Sequence, residues 1–184
     1  MGIATLTTQI QVQVGWTAQG AAAGTGYQPL QNGPTTLTKL ISTSSATGNT
    51  GAGGADELIS KIYSVGSNSS VTIDLTNLTD ILGTSAVSLA RVKGLVIRLL
   101  SVADDAVNGT AAASITVGNA GSNPASLWFS STNVVSLKNG GAMAFSDPSA
   151  TGYTVGGSTK NLLIANNDTT TGAGVQITII GGST

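Results

Sequence analysis

Polar and apolar positions alternate along this chain in short runs, the pattern of β-strands with one buried and one exposed face. The longest run, residues 92–100, is apolar almost throughout and is predicted to be buried on both faces. The clearest alternation covers residues 9–16, where glutamines fill one face and four apolar residues fill the other: Ile10, Val12, Val14 and Trp16. Further strands are predicted at residues 71–75, 113–117, 127–129, 134–137, 143–145, 153–155, 162–164 and 175–179.

Turn residues separate these runs. Asn-Gly pairs stand at 108–109 and 139–140, and a Gly-Gly pair stands at 156–157. Because Asn-Gly suits the tight turns of β-hairpins, the second pair predicts a hairpin between residues 134–137 and 143–145. About eight short strands at this spacing predict an all-β fold, an antiparallel β-sandwich of jelly-roll type.

Two segments also fit a helix. Residues 55–63 have apolar spacing that suits either a helix or a strand. Residues 77–82 end before Gly83 and indicate one helical turn within a connection. Neither segment changes the fold class.

Charge divides the chain into two parts. Lys39 is the one charged residue before Asp56, and the remaining charged residues follow that position. Residues 42–55, STSSATGNTGAGGA, carry no bulky apolar side chain and resemble a flexible linker. We therefore predict an extended N-terminal arm with its linker at residues 1–55 and a β-sandwich domain at residues 56–184.

The arm is predicted to be an interaction segment. A strand whose polar face is glutamine has few defences against pairing at its edge. We expect Ile10, Val12, Val14 and Trp16 to contact a neighbouring copy or another protein of the same assembly, with residues 37–41 as a second contact segment. The alternative is that residues 9–16 form an interior strand of the chain's own sandwich.

The chain contains no histidine and no cysteine, which excludes Ser-His-Asp and Cys-His catalysis and the usual zinc sites. The glycines at 51–54 imitate a dinucleotide-binding loop, but no strong strand precedes them. Most of the eight Asp and Glu residues stand beside turn formers, where short acids shape turns; this favours turn chemistry over a calcium site at residues 104–105 or 166–168. We predict a protein that is not an enzyme and uses no cofactor and no metal.

Seven Lys and Arg residues against eight Asp and Glu give a net charge of −1, which offers no basic field for nucleic acid. The local cluster Arg91, Lys93 and Arg98 is interpreted as solvated or sheet-edge positions. No apolar run has the length of a membrane span, so no membrane partner is expected. A surface with so few charges is poorly protected against self-association, which favours a homo-oligomer, with a trimer as the first guess.

From residue 71 onward the order of motifs resembles small all-β virion proteins of tailed bacteriophages and prophages. The motifs that carry this resemblance are VTIDLTNLTD (71–80), LARVKGL (89–95), ITVGN (115–119), NGGAMAF (139–145), DPSATGY (147–153) and VQITIIG (175–181). The resemblance implies a structural component of the virion, such as a head decoration or cement protein that contacts the major capsid protein, or the base of a fibre or spike. It implies no catalytic residue.

Two other classes stay open. One is a secreted or cell-surface adhesive module, for example one that binds carbohydrate; scarce aromatic residues and the lack of a signal-peptide pattern at the N-terminus weigh against it. The other is a tail hydrolase that works with two carboxylates, a chemistry that needs neither histidine nor cysteine.

Overall fold

A computed structural model describes residues 7–18, 31–42, 55–80, 83, 86–101, 112, 114–118, 120–125, 133–147 and 149–183. Throughout these residues the secondary structure is β, without a helix, and every strand pair is antiparallel. The predicted all-β antiparallel fold is therefore confirmed.

The strands are β1 (Thr7–Ala18), β2 (Gln31–Ser42), β3 (Glu57–Val65), β4 (Ser69–Asp74), β5 (Leu78–Thr79), β6 (Ala86–Val87), β7 (Leu89–Leu99), β8 (Ser114–Gly118), β9 (Val134–Lys138), β10 (Ala142–Ser146), β11 (Tyr153–Thr154), β12 (Asn161–Asn166) and β13 (Ala173–Ser183).

Two sheets make up the sandwich. The first has the strand order β10-β7-β13-β3, with β11 also paired to β7, and the second has the order β4-β12-β8-β9. The consecutive pairs β3/β4, β7/β8, β9/β10 and β12/β13 each have one member in either sheet. The chain thus crosses repeatedly between the sheets.

One apolar core joins the inner faces of the two sheets. Ile97 and Ile177 are register partners in the first sheet, and they belong to the same cluster as Ile115 and Ile164 of the second. All four side chains are at most 1% exposed. The core is built almost entirely from Val, Ile and Leu, whose stiff branched side chains pack well on pleated sheets.

Most strands of the sandwich were predictable from the alternation of polar and apolar residues. Residues 92–99 of the predicted run lie in β7. Residues 92–95 are buried on both faces, as predicted, whereas Val96 and Arg98 are only partly buried. Residues 55–63, which fitted either element, fall largely in β3. The predictions at residues 108–109 and 127–129 lie outside the described residues.

Two local predictions were wrong. Asn139 and Gly140 do form a tight turn, closed by the Gly141 N–H donating to the Lys138 carbonyl at 2.7 Å, with Gly140 at φ 72°. However, β9 pairs with β8 and β10 pairs with β7, so the turn passes from one sheet to the other and joins no hairpin. The predicted helical turn at residues 77–82 begins instead with β5, which pairs with β6.

The segment before the linker forms a hairpin. β1 pairs with β2 along its whole length, from Thr7 opposite Ser42 to Ala18 opposite Gln31. The predicted strand at residues 9–16 is thereby confirmed as a strand, although its partner is the segment that contains residues 37–41. Of the linker predicted at residues 42–55, residues 43–54 lie outside the described residues, and the domain division after residue 55 stays a prediction.

Lys93 corrects the prediction of a solvated basic cluster. Its side chain is 0% exposed, because the loop between β10 and β11 closes over it. The Lys93 ammonium donates to the backbone carbonyl oxygens of Ser149 and, at 2.8 Å, Ala150. Burial and the nearby Arg91 lower the pKa of Lys93, while Asp147 opposes this shift. The lysine therefore anchors a loop from inside the molecule.

The same loop supplies a test of this packing. Gly152 has φ 56°, and a Cβ at this position would lie 2.8 Å from the Val92 carbonyl oxygen and 3.0 Å from Lys93 Cδ. We expect Gly152→Ala to lower the free energy of unfolding by about 1–3 kcal/mol, since left-handed backbone strain and a steric clash combine. Gly157→Ala is the control, because a Cβ added at Gly157 would meet no other atom within 4 Å. Equal unfolding midpoints in urea for the two variants would contradict the expectation.

Candidate functional site

The four predicted contact residues occupy alternate positions of β1. In the hairpin register Ile10 is opposite Lys39, Val12 opposite Leu37, Val14 opposite Thr35 and Trp16 opposite Gly33. The same register puts Ile41 opposite Thr8. Since register partners share a face of a sheet, the apolar positions of β1 share their face with Leu37, Lys39 and Ile41 of β2.

The outer face of the first sheet, called the outer face below, is a broad surface of small and apolar residues. Its positions alternate with those of the core, and register aligns them into three rows across the sheet. Within these three rows Arg98 is the one charged residue, and the adjoining register pair Gly182–Arg91 adds a second at the end of the face. The rows are Leu58-Ile180-Gly94-Ser146, Ser60-Thr178-Val96-Ala144 and Ile62-Gln176-Arg98-Ala142.

Part of the outer face is already covered by the chain itself. Ile180 is 5% exposed and packs with Ala55 and Leu58 in a small apolar cluster that is separate from the core. Next to it, the Asp56 carboxylate accepts hydrogen bonds from the Ser183 N–H and hydroxyl, both at 2.8 Å. These contacts fix the position at which the chain joins the sandwich from its N-terminal side.

The outward face of the second sheet is more hydroxylic. Its outward positions carry a charge at Asp74 and at Lys138, while the positions between them are small, polar or aliphatic. These intervening positions are Ser70, Thr72, Asn161, Leu163, Ala165, Ser114, Thr116, Gly118, Val134 and Ser136.

Each sheet has an edge strand with an exposed aliphatic residue. Ile62 on β3 is 44% exposed and Val134 on β9 is 49% exposed. Both residues face outward from their sheets, so they provide a matched pair for comparing the two faces.

Several carboxylates shape turns, as the sequence predicted. Asp147 accepts a hydrogen bond from the Ser149 N–H at 2.9 Å. Asp168 accepts from the Thr170 and Thr171 N–H groups at 2.9 and 3.0 Å. Residues 166–168, where turn chemistry was predicted over a calcium site, do form a turn, while residues 104–105 lie outside the described residues. Within the described ranges, no cluster of three or more acidic residues is arranged to hold a metal ion.

Asp74 combines a turn with an ion pair. One oxygen accepts from the Thr76 N–H and hydroxyl at 2.8 and 2.6 Å, and the other accepts from Lys160 Nζ at 2.6 Å. The hydrogen bond from Lys160, followed by that from the Thr76 hydroxyl, lowers the pKa of Asp74 below its ordinary value of 3.8.

The lowered pKa predicts a pH-dependent effect of Asp74→Asn. At pH 7 we expect the variant to lose about 0.5–1.5 kcal/mol of unfolding free energy, a modest amount because the pair is partly exposed. A group whose folded pKa is depressed loses its contribution as pH falls through that pKa, so the difference from the parent should vanish in strong acid. Urea titrations at about pH 7 and about pH 2.5 measure this; an equal difference at both values would contradict it.

The structure also brings together acids that are distant in sequence. Burial, followed by the proximity of Asp56 and Asp80, raises the pKa of Glu57 above its ordinary value of 4.5. The Asp80 side chain is buried. Sequence reasoning missed this association because the pairing of β5 with β6 decides where Asp80 lies. The Asp56 carboxylate is engaged with Ser183, which makes this group part of the chain's attachment to β13.

A polar cleft of about 210 Å³ lies at the opposite end of β3, lined by Asn68, Ser69, Ser70, Ala165, Asn166 and Asn167. The Asn166 amide is committed to the fold, since its Nδ2 donates to the carbonyl oxygens of Gly66 and Thr171 at 3.1 and 2.7 Å. The other asparagines and the two serines are exposed.

In the described part of the chain, no helix has the length and hydropathy needed to cross a membrane. The chain matches no family model, no curated protein and no solved structure.

Proposed function

We propose that this protein is a non-enzymatic structural component of a bacteriophage particle, a decoration or cement protein that stabilises the shell through contacts between subunits. Its partners are further copies of itself, with a trimer as the working stoichiometry, and other virion proteins such as the major capsid protein. Its place is the virion, after synthesis in the host cytoplasm.

The observation that carries this proposal is the strand order. Eight strands divide between two sheets in the orders β3-β13-β7-β10 and β4-β12-β8-β9, with repeated crossings between sheets. This order is compatible with an eight-stranded jelly roll, an architecture that viral capsid proteins share with lectins and cupins. The motif resemblance to small virion proteins supports the first of these classes.

The surface supports the same proposal on physical grounds. Burying charges at an interface requires their desolvation, and the outward positions of both sheets carry few charges to desolvate. A particle protein present in many copies presents such faces to neighbours and not to bulk water. The low content of Lys and Arg supports contacts with protein and not with packaged nucleic acid.

Mass spectrometry of purified particles tests the proposal. We expect peptides of this protein to co-purify with intact heads at a fixed ratio to the major capsid protein and to survive washes that remove soluble proteins. Recovery in the soluble fraction alone, after a lysate that yields intact particles, would overturn it.

The polar cleft favours a second candidate, a carbohydrate-binding adhesive or fibre module. Exposed amides and hydroxyls at Asn68, Ser69 and Asn167 are groups that can bond sugar hydroxyls. Binding of the isolated protein to a glycan array, abolished by Asn68→Ala and retained by Asn77→Ala, would favour this candidate over the shell protein.

A further inference from the structure

We propose that the outer face of the first sheet receives the β1–β2 hairpin of a second copy of this chain. This inference rests on the proposed function, because it assigns the surface through which copies of a particle protein hold one another.

The path of the chain leads to this face. Ala55 is 1% exposed and packs on Ile180 and Leu58, which are outer-face positions. The Asp56 N–H also donates to the Gly181 carbonyl oxygen at 3.0 Å. The segment that carries the hairpin therefore joins the sandwich on the side of the outer face.

The outer face is suited to an apolar partner. Its rows combine aliphatic residues with alanine, glycine, serine and threonine, and the two long polar side chains, Gln176 and Arg98, are confined to the row of Ile62. Ile62 remains 44% exposed. Small residues allow a second sheet to approach to the usual spacing of about 10 Å between packed sheets. The outward face of the second sheet offers more hydroxyls and a charge at either end, which makes it the poorer surface for such packing.

The hairpin in turn requires a partner. A two-stranded hairpin by itself is marginally stable in water, and β1 and β2 form a sheet of their own. The hairpin register brings Val12 opposite Leu37, and the one charge in this segment is Lys39. Both faces therefore carry few charges that would have to be desolvated on contact, and Lys39 and Arg98, which are both cations, have to lie apart.

Area and reach favour exchange between copies. A hairpin about 10 Å wide that overlaps about 30 Å of the face covers about 300 Å² on each surface, or about 600 Å² in total. Two reciprocal contacts of this kind reach about 1,200 Å², the lower end of stable protein interfaces. The twelve residues 43–54 can extend over at most about 40 Å, enough to reach a neighbouring copy.

The absence of cysteine from the sequence allows a clean cross-linking test. Val12→Cys and Ala144→Cys are placed on two differently tagged copies, which are co-expressed and treated with a short bis-maleimide. Ser136→Cys replaces Ala144→Cys in the control, because both positions are exposed on edge strands but face outward from opposite sheets. We expect a cross-linked heterodimer with Ala144→Cys at a yield at least five times that of the control.

Two results would overturn the proposal. One is preferential cross-linking to Ser136→Cys, which would place the hairpin on the second sheet. The other is efficient cross-linking of a Val12→Cys, Ala144→Cys double variant within one chain, without a link between tagged copies, which would place the hairpin on its own sandwich.

A matched pair of charge substitutions provides an independent measurement. Ile62→Asp puts a carboxylate at the outer face, and Val134→Asp puts one at a similarly exposed aliphatic position of the other sheet. By light scattering we expect Ile62→Asp to weaken self-association at least tenfold and Val134→Asp to change it less than twofold. The reverse order would contradict the inference.

Failure of this inference differs from failure of the proposed function. An oligomer that associates with heads but gives no cross-link to the outer face would reject the docking surface. The proposed function as a particle protein would then still stand. A cross-linked oligomer that is absent from purified particles would reject the proposed function. The docking of the hairpin on the outer face would then still stand.

Discussion

Removal of residues 1–50 is expected to leave a sandwich that folds and melts cooperatively but no longer assembles or attaches to particles. The truncated chain retains Ala55, Asp56 and every strand from β3 to β13, so the apolar core and the attachment of Asp56 to Ser183 are preserved. Because the hairpin is lost, we expect self-association to weaken at least about a hundredfold, equivalent to about 2.7 kcal/mol. Light scattering and a thermal melt followed by circular dichroism measure the two properties.

The arm prediction holds only if the truncated chain loses self-association and still melts cooperatively. A full-length chain carrying Gly157→Ala, a substitution in open space, serves as the folded control. If the truncated chain is insoluble or melts without cooperativity, residues 1–50 contribute to the core of the sandwich and the arm prediction is wrong.

Replacement of Lys93 is expected to be the most destabilising single change to a charged residue in the described sandwich. Lys93→Ala removes a fully buried stem together with the hydrogen bonds to the Ser149 and Ala150 carbonyl oxygens. We expect a loss of about 2–4 kcal/mol of unfolding free energy, by analogy with large-to-small substitutions in cores. Lys93→Met keeps most of the stem volume but cannot donate, so its loss should be about 1–2 kcal/mol.

Lys138→Ala is the control for this prediction, because Lys138 is exposed on β9. A surface substitution of this kind should change the unfolding free energy by less than about 0.5 kcal/mol. If Lys93→Ala lowers the unfolding free energy no more than Lys138→Ala does, Lys93 is solvated and its buried position is wrong.

The lowered pKa of Lys93 adds a dependence on pH with a defined sign. Between that pKa and the ordinary value of 10.5, the unfolded chain binds more protons at this residue than the folded chain does. Stability from this group therefore rises as pH increases through that interval. A neutral amine still has two N–H donors for the two carbonyl oxygens, so the loop stays anchored. Lys93→Met should abolish this alkaline gain in urea titrations.

The sequence predicted strands well and their partners poorly. Alternation over a few residues is a local property, which is why β4, β8 and β12 could be located from Val, Ile and Leu positions. The local sequence does not decide which strands a turn connects. Asn139 and Gly140 specify a reversal of the chain, whereas the sheet that each flanking strand joins depends on pairing with strands distant in sequence. Residues 77–82 failed for a similar reason, since the partner of Leu78 is Val87.

The burial of Lys93 was not predictable from alternation. The register of β7 with β13 shifts here, with Ile180 opposite Gly94 and Gly181 opposite Val92, so Lys93 lies between these two pairs. A long aliphatic stem can be buried there because its ammonium finds acceptors. The acceptors come from a loop more than fifty residues away, which no local pattern reveals.

The candidate contact surface was predictable only on one side. The apolar alternation of Ile10, Val12, Val14 and Trp16 is visible in the sequence, and their role as contact residues stays a prediction. The receiving face is not visible, because its rows combine residues of β3, β13, β7 and β10 that are aligned only by the register of the folded sheet.

The attachment of Asp56 to Ser183 determines how the sandwich carries a mechanical load. β3 starts and β13 finishes at the same corner, with Glu57 opposite Gly181, and the two strands are antiparallel neighbours. A force that pulls residues 56 and 183 apart therefore opens the hydrogen bonds between these strands one after another, like a zipper, and does not shear them all at once. A shell built from this sandwich would resist internal pressure best when the load passes through its sheet faces and not through the two ends of its chain.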